Sequence, residues 1–317
     1  MPVCTTPFTP PRTLRNGHVQ TVLHGLFRRV PHVPFRRRVW ETQDGDQLHL
    51  DLLQGGNAKM AVLSHGLEGS TRSPYIRGMA RALFAAGWDV LAWNNRGCGG
   101  MPNKRFEAYH SGYTEDLEAL TKEVATRYAT VALVGFSMGG NITLKYLATA
   151  GDSLPPQVRT AIAISAPVDL GASSAQLETP ENKLYLARFM RSLKQSMRAR
   201  AALHPGKVDL ELLERVNDFY TFDDRFTAPM FGFASADDYY RRSSSLPLLA
   251  QISLPVLMLN AQDDPFLPDA CYPFDLARNS PHLHLDAPLY GGHCAFLQRK
   301  SVTWSEERTL AWLASRA

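Results

Sequence analysis

Neither Asp nor Glu occurs in the first 38 residues of this chain, a stretch that carries seven arginines (Arg12, Arg15, Arg28, Arg29, Arg36, Arg37 and Arg38). Over all 317 residues the imbalance shrinks to a formal net charge of +4, too little to demand a nucleic-acid partner. Cysteine is scarce as well. Cys4, Cys98, Cys271 and Cys294 share no metal-like spacing, so a reduced, cytoplasmic chain without a metal or organic cofactor is the expectation. No run approaches the roughly 20 apolar residues of a membrane span. The opening M-P-V-C-T-T-P-F-T-P-P is broken by prolines and does not read as a signal peptide. Internal repeats and low-complexity tracts are missing too. What remains is 44% hydrophobic and 20% charged, enough for a large buried core. The length suits two domains, or one α/β core with an insertion.

The basic segment 1–38 holds Val19, Val22, Leu23, Leu26 and Phe27 at helical spacing. A short amphipathic helix follows from that spacing. It could lie on an anionic membrane surface or pack on the protein's own core, and packing is the favoured expectation. Beyond it, Arg36 to Glu41 and Gln47 to Leu53 flank the turn signal D-G-D and read as a hairpin. Met60 to Ser64 reads as a short buried strand. The helix after Pro74 carries the stripe Ile76, Met79, Ala80, Leu83 and Phe84 and stops at Gly87. Strands follow at 89–93, 131–134, 160–164, 255–260 and 283–285, with helices between them and a last helix near 305–315. Strand-like runs cease between Pro167 and Leu249, where a helical stripe (Leu186, Met190, Leu193, Met197) and many aromatic residues take over. The order predicts an α/β fold: a mostly parallel central sheet flanked by helices, with a core at 39–166 and 250–317 and a helical lid insertion at 167–249.

The chemical signal begins at T-V-A-L-V-G-F-S-M-G-G-N, residues 130–141. An apolar strand runs into Gly135-Phe136-Ser137-Met138-Gly139 and continues as a helix, which is G-x-S-x-G in the context that exposes a nucleophilic serine. A serine hydroxyl needs a base, and the base needs a carboxylate to orient it. In this fold the chain order is Ser, acid, His. Asp264 in A-Q-D-D-P follows a strand end, with Asp263 the runner-up, and His293 follows two glycines in G-G-H. An oxyanion needs two preorganised donors. The backbone N–H groups of Met138 and of Leu67, in H-G-L-E-G-S, are the candidates, with His65 as a loop-shaping residue. His18 and His24 sit in the basic segment, and His110, His204, His282 and His284 lack a matching partner.

Further stretches carry a family resemblance: L-R-N-G-H-V-Q-T, S-H-G-L-E-G-S-T-R-S-P-Y, N-N-R-G-C-G-G, Y-H-S-G-Y-T-E-D-L, F-D-D-R-F-T-A-P and D-D-Y-Y-R-R-S-S, together with the elbow, acid and histidine segments. From about Arg12 to Leu297 the chain resembles the YheT-like, ABHD1/ABHD3-type branch of the α/β-hydrolase superfamily. It departs at Gly17, where that family usually has proline. The resemblance implies a triad of Ser137, Asp264 and His293, and hydrolysis of carboxylic esters with short- to medium-chain or lipid-like acyl groups. The same triad would serve an acyltransferase, and a non-catalytic ligand-binding protein is the reading from another class. F-D-D-R and D-D-Y-Y-R-R are expected to anchor the lid through charge pairs. A small-molecule ester is the expected partner, with peripheral lipid contact through the basic segment as the further possibility.

Overall fold

The computed structural model describes residues 3, 4 and 6–316. Nine strands form one sheet in the order β1-β9-β8-β7-β6-β4-β5-β3-β2. They are β1 (Val3–Cys4), β2 (Arg36–Glu41), β3 (Gln47–Leu53), β4 (Lys59–Ser64), β5 (Asp89–Asn94), β6 (Thr130–Phe136), β7 (Val158–Ile164), β8 (Val256–Leu259) and β9 (Leu283–Asp286). Pairing is antiparallel only in the hairpin β2–β3 and where β3 meets β5; every other pair is parallel. The hairpin register, Arg36↔Leu52 through Glu41↔Gln47, places the D-G-D signal at its turn. β2 is an edge strand, and its solvent-exposed Arg36, Arg37 and Arg38 suit that position.

Strands buried on both faces read as unbroken apolar runs, and residues two apart share a face. Ala61, Leu63, Val90, Ala132, Val134, Ile162 and Leu257 pack on one side, against α2 (Pro74–Ala85) and α12 (Trp304–Ala314). Val62, Leu91, Leu133, Ala161, Met258 and Leu285 pack on the other, against α3 (Glu115–Ala125) and α4 (Met138–Ala150). The expected stripe of α2 is the one buried: Ile76, Met79, Ala80 and Leu83. Between β7 and β8 the chain makes only helices: α5 (Leu170–Leu177), α6 (Lys183–Leu203), α7 (Leu210–Arg215), α8 (Phe219–Phe222), α9 (Ala228–Phe231) and α10 (Ala236–Ser243), with a π-turn at Asp223–Thr227. A short α11 (Phe274–Asn279) precedes β9.

Two sequence expectations are corrected. The N-terminal helix, α1 (Gly17–Phe27), does pack on the core, but with its polar side. Its buried residues are Gly17, Gln20 and His24, whereas Val19, Val22, Leu26 and Phe27 face solvent. The reason is a set of long-range polar anchors that a hydrophobic pattern does not encode. Gln20 donates to the Leu14 carbonyl and accepts from the Leu297 N–H, and Arg28 forms a buried ion pair with Glu306 at 2.5 Å. The second correction concerns F-D-D-R and D-D-Y-Y-R-R. Their charge pairs are local, Asp238 with Arg241 and Arg242 and Asp224 with Arg225. The two segments are tied by hydroxyl and amide donors instead: Tyr240 donates to Asp223 at 2.8 Å and the Ala236 N–H to Asp224 at 3.2 Å.

Candidate active site

The turn after β6 is too tight for side chains at two places. A Cβ on Gly135 would stand 2.2 Å from the Gly139 carbonyl oxygen, and one on Gly139 would stand 2.4 Å from that of Ser64. With both positions bare, Ser137 adopts φ 52° and ψ −123° at the N-cap of α4. A non-glycine residue rarely takes that conformation, and it projects the side chain off the end of the sheet. The free N–H of Met138, first residue of α4, lies beside it and carries no hydrogen bond among the described residues.

β4 supplies the neighbouring loop. His65 is buried and its pKa is lowered to about 4, because burial disfavours the cation more than the Gly66 carbonyl favours it. The neutral ring donates from Nδ1 to the Gly66 carbonyl and accepts at Nε2 from the Asn95 N–H. It thereby ties the ends of β4 and β5. Gly66 donates its N–H to the Tyr75 hydroxyl and Glu68 donates its own to the Tyr109 hydroxyl. The amide between them, on Leu67, makes no such bond among the described residues and lies at the cavity that Leu67 and Ser137 both line.

Asp264 and His293 follow β8 and β9. His293 Nδ1 donates to both carboxylate oxygens of Asp264, at 2.9 and 3.0 Å, which leaves Nε2 as the nitrogen free to serve as base. Asp264 is itself held by the Phe266 N–H at 3.0 Å. The neighbouring Asp263 meets a different group: it accepts the Gly292 N–H at 2.8 Å and so fastens the loop that carries His293. Burial pulls the His293 pKa down, but the Asp264 carboxylate outweighs it and the net direction is upward from 6.5. His293 lines the same cavity as Ser137, and no hydrogen bond joins the two side chains. Nucleophile–base contacts often tighten only when substrate is bound.

Several supporting residues have no signature in the sequence. Thr21 of α1 accepts the His293 N–H at 2.9 Å from 272 positions away. Gly17 is what lets α1 come so close: a Cβ there would fall 1.7 Å from the Asp263 carbonyl oxygen. Glu68, at φ 53°, accepts from the Tyr109 hydroxyl at 3.0 Å and from the hydroxyls of Ser192 and Ser196 on α6 at 2.7 Å each. Only the i, i+4 spacing of Ser192 and Ser196 hinted at a shared partner. The cavity measures about 150 Å3. Apart from these polar groups its walls are largely apolar, with Leu193, Met197, Phe222, Phe226 and Met230 among them.

All these groups stand beyond the carboxyl ends of neighbouring parallel strands, where open α/β sheets place their sites. The family model described as the α/β hydrolase fold matches residues 62–300, and the chain belongs to that family. Within it the chain falls in the YheT/ABHD3-type branch. It is 36% identical over 324 residues to YheT of Escherichia coli (strain K12), an inferred esterase, covering 97% of this chain and 93% of that protein. It is 32% identical over 309 residues to the phospholipase ABHD3 of Mus musculus, covering 94% and 75% respectively. The Pyrococcus furiosus esterase Pf2001 has the same fold, with a TM-score of 0.61 at 17% identity over 99% of this chain and 98% of that one. No described helix is long and apolar enough to cross a membrane.

Proposed function

We propose that the protein is a serine-dependent carboxylic ester hydrolase. The supporting observation is one of convergence. A serine on a strained elbow, a histidine paired with an aspartate behind it and two backbone N–H groups unbonded among the described residues meet at a single apolar cavity. Ser137 attacks the ester carbonyl as His293 Nε2 takes its proton. Asp264 holds the ring and stabilises the imidazolium. The Met138 and Leu67 amides receive the oxyanion. His293 then protonates the departing alcohol, leaving an acyl-serine, and returns as base for the water that releases the acid. Esterase and phospholipase relatives agree with this reading.

The cavity also bears on the substrate. Its volume is close to that of cavities that hold one benzene-sized apolar guest. A short acyl group fits that space, with the helices between β7 and β8 acting as the lid. Ser137→Ala is expected to abolish hydrolysis of p-nitrophenyl esters and labelling by a fluorophosphonate probe. Unchanged turnover in that variant would sink the proposal.

A further inference from the structure

Because α1 is seated by its polar side, its apolar side is left in water. Val19, Val22, Leu26 and Phe27 are 39, 40, 62 and 67% exposed. The first turn of α6 lies alongside: the His18 ring stacks on Tyr185 at 5.8 Å, and the adjoining Leu184 is 86% exposed. Basic side chains border these residues. Arg12 and Arg15, just ahead of α1, share one surface groove with Arg299 and Lys300, and Arg29 follows the helix. On α6, Lys183, Arg188 and Arg191 are exposed and none has an ion-pair partner among the described residues. Of the nearby acids, Glu306 is taken by Arg28 and Glu307 by Lys300, while Glu181 ahead of α6 stays exposed.

We infer that this face docks on an anionic lipid bilayer. The apolar side chains enter the acyl boundary and the flanking arginines meet lipid phosphates, as charge and pattern together require of an interfacial helix. A second copy of the chain is the less suitable occupant. A two-fold pairing through this face would set the arginines of one copy against those of the other. The surface is also rigid, since the anchors that hold α1 to residues 293–306 fix it to the body. A row of rings connects it to the base: His18, Tyr185, Phe266 and His293 lie in succession at 5.8, 4.8 and 4.3 Å. Docking by this face would hold that wall of the cavity at the lipid surface, where apolar esters partition.

Co-sedimentation of the full-length protein with vesicles of phosphatidylcholine, alone or mixed with phosphatidylglycerol, tests this. The wild type is expected to pellet with the mixed vesicles and to be released by salt. Combined Val22→Ser, Leu26→Ser and Phe27→Ser is expected to weaken binding by roughly tenfold or more. Combined Arg12→Gln, Arg15→Gln and Arg29→Gln is expected to remove the preference for anionic lipid. Both variants should keep the wild-type melting curve and its turnover of a soluble p-nitrophenyl ester. A wild type that stays in the supernatant with every vesicle overturns the inference. So does a serine variant that pellets as well as the wild type, or a solution dimer abolished by the same serine substitutions. Vesicle binding does not require Ser137 chemistry, so a protein that binds lipid but hydrolyses nothing would count against the hydrolase proposal alone.

Discussion

His293 is the residue whose protonation sets the pH range of the chemistry. As the proposed base it must be neutral, and the Asp264 carboxylate raises its pKa above 6.5. Activity is therefore expected to rise with pH through a value on the alkaline side of 6.5, read from the pH profile of kcat/KM. The sign for stability is opposite. A histidine with a raised folded-state pKa stabilises the fold fully below 6.5 and loses that contribution as pH climbs through the raised value. Asp264→Asn removes the charge that favours the imidazolium. The activity limb should move to lower pH while kcat falls by about 10³–10⁴, the cost of a misoriented tautomer. Ser137, Asp264 and His293 stand out in the sequence as candidates because each sits in a local signature, a strand end followed by a glycine or turn. Thr21 could not. Its contact with His293 spans 272 positions, and nothing in its own neighbourhood marks it.

Among the elements, α6 and the loop after β4 are coupled through one carboxylate. Glu68 accepts from Ser192, Ser196 and Tyr109, so the loop that offers the Leu67 amide is bolted to a helix of the insertion. Glu68→Ala would leave three hydroxyls without their acceptor, at a cost of about 1–3 kcal/mol. Faster amide hydrogen exchange in α6 and a raised KM, larger for longer acyl esters, are the expected results. Unaltered exchange in α6 would show that Glu68 does not hold it. The strands of the parallel core could be read element by element, because burial on both faces leaves continuous apolar runs that few other structures produce. The orientation of α1 could not. Helical periodicity reveals that a stripe exists, but the partner that decides whether it is covered lies elsewhere. Here Gln20, His24 and Arg28 find their partners in other segments and turn the stripe outward.

At the scale of the whole molecule, Arg96 joins three separate parts of the fold. From the loop after β5 it pairs with Asp116 of α3 at 2.7 Å and with Asp44 and Asp46 of the β2–β3 turn at 2.7 and 3.4 Å. Arg96, Asp46 and Asp116 are buried. Replacing the guanidinium by a neutral chain, Arg96→Met, strands the buried Asp116 carboxylate, whereas Asp46 keeps the Gln47 and Lys104 N–H groups and the Asn103 amide; a loss of about 3–5 kcal/mol is expected from urea unfolding. A stability within 1 kcal/mol of wild type would show that the Asp116 carboxylate finds another partner or stays protonated. N-N-R-G-C-G-G marked this place by its glycines, yet the network itself is assembled from residues about 20 to 50 positions apart and has no linear signature.

The seating of α1 has a consequence for synthesis. A ribosome delivers α1 well before Leu297 and Glu306, which receive Gln20 and Arg28. Until then the helix has no seat, and the loop bearing His293 does not yet exist for Thr21 to brace. Ser137 is likewise made long before His293, its proposed base. Synthesis of residues 293–306, more than folding of the central sheet, is thus the step that completes the proposed site.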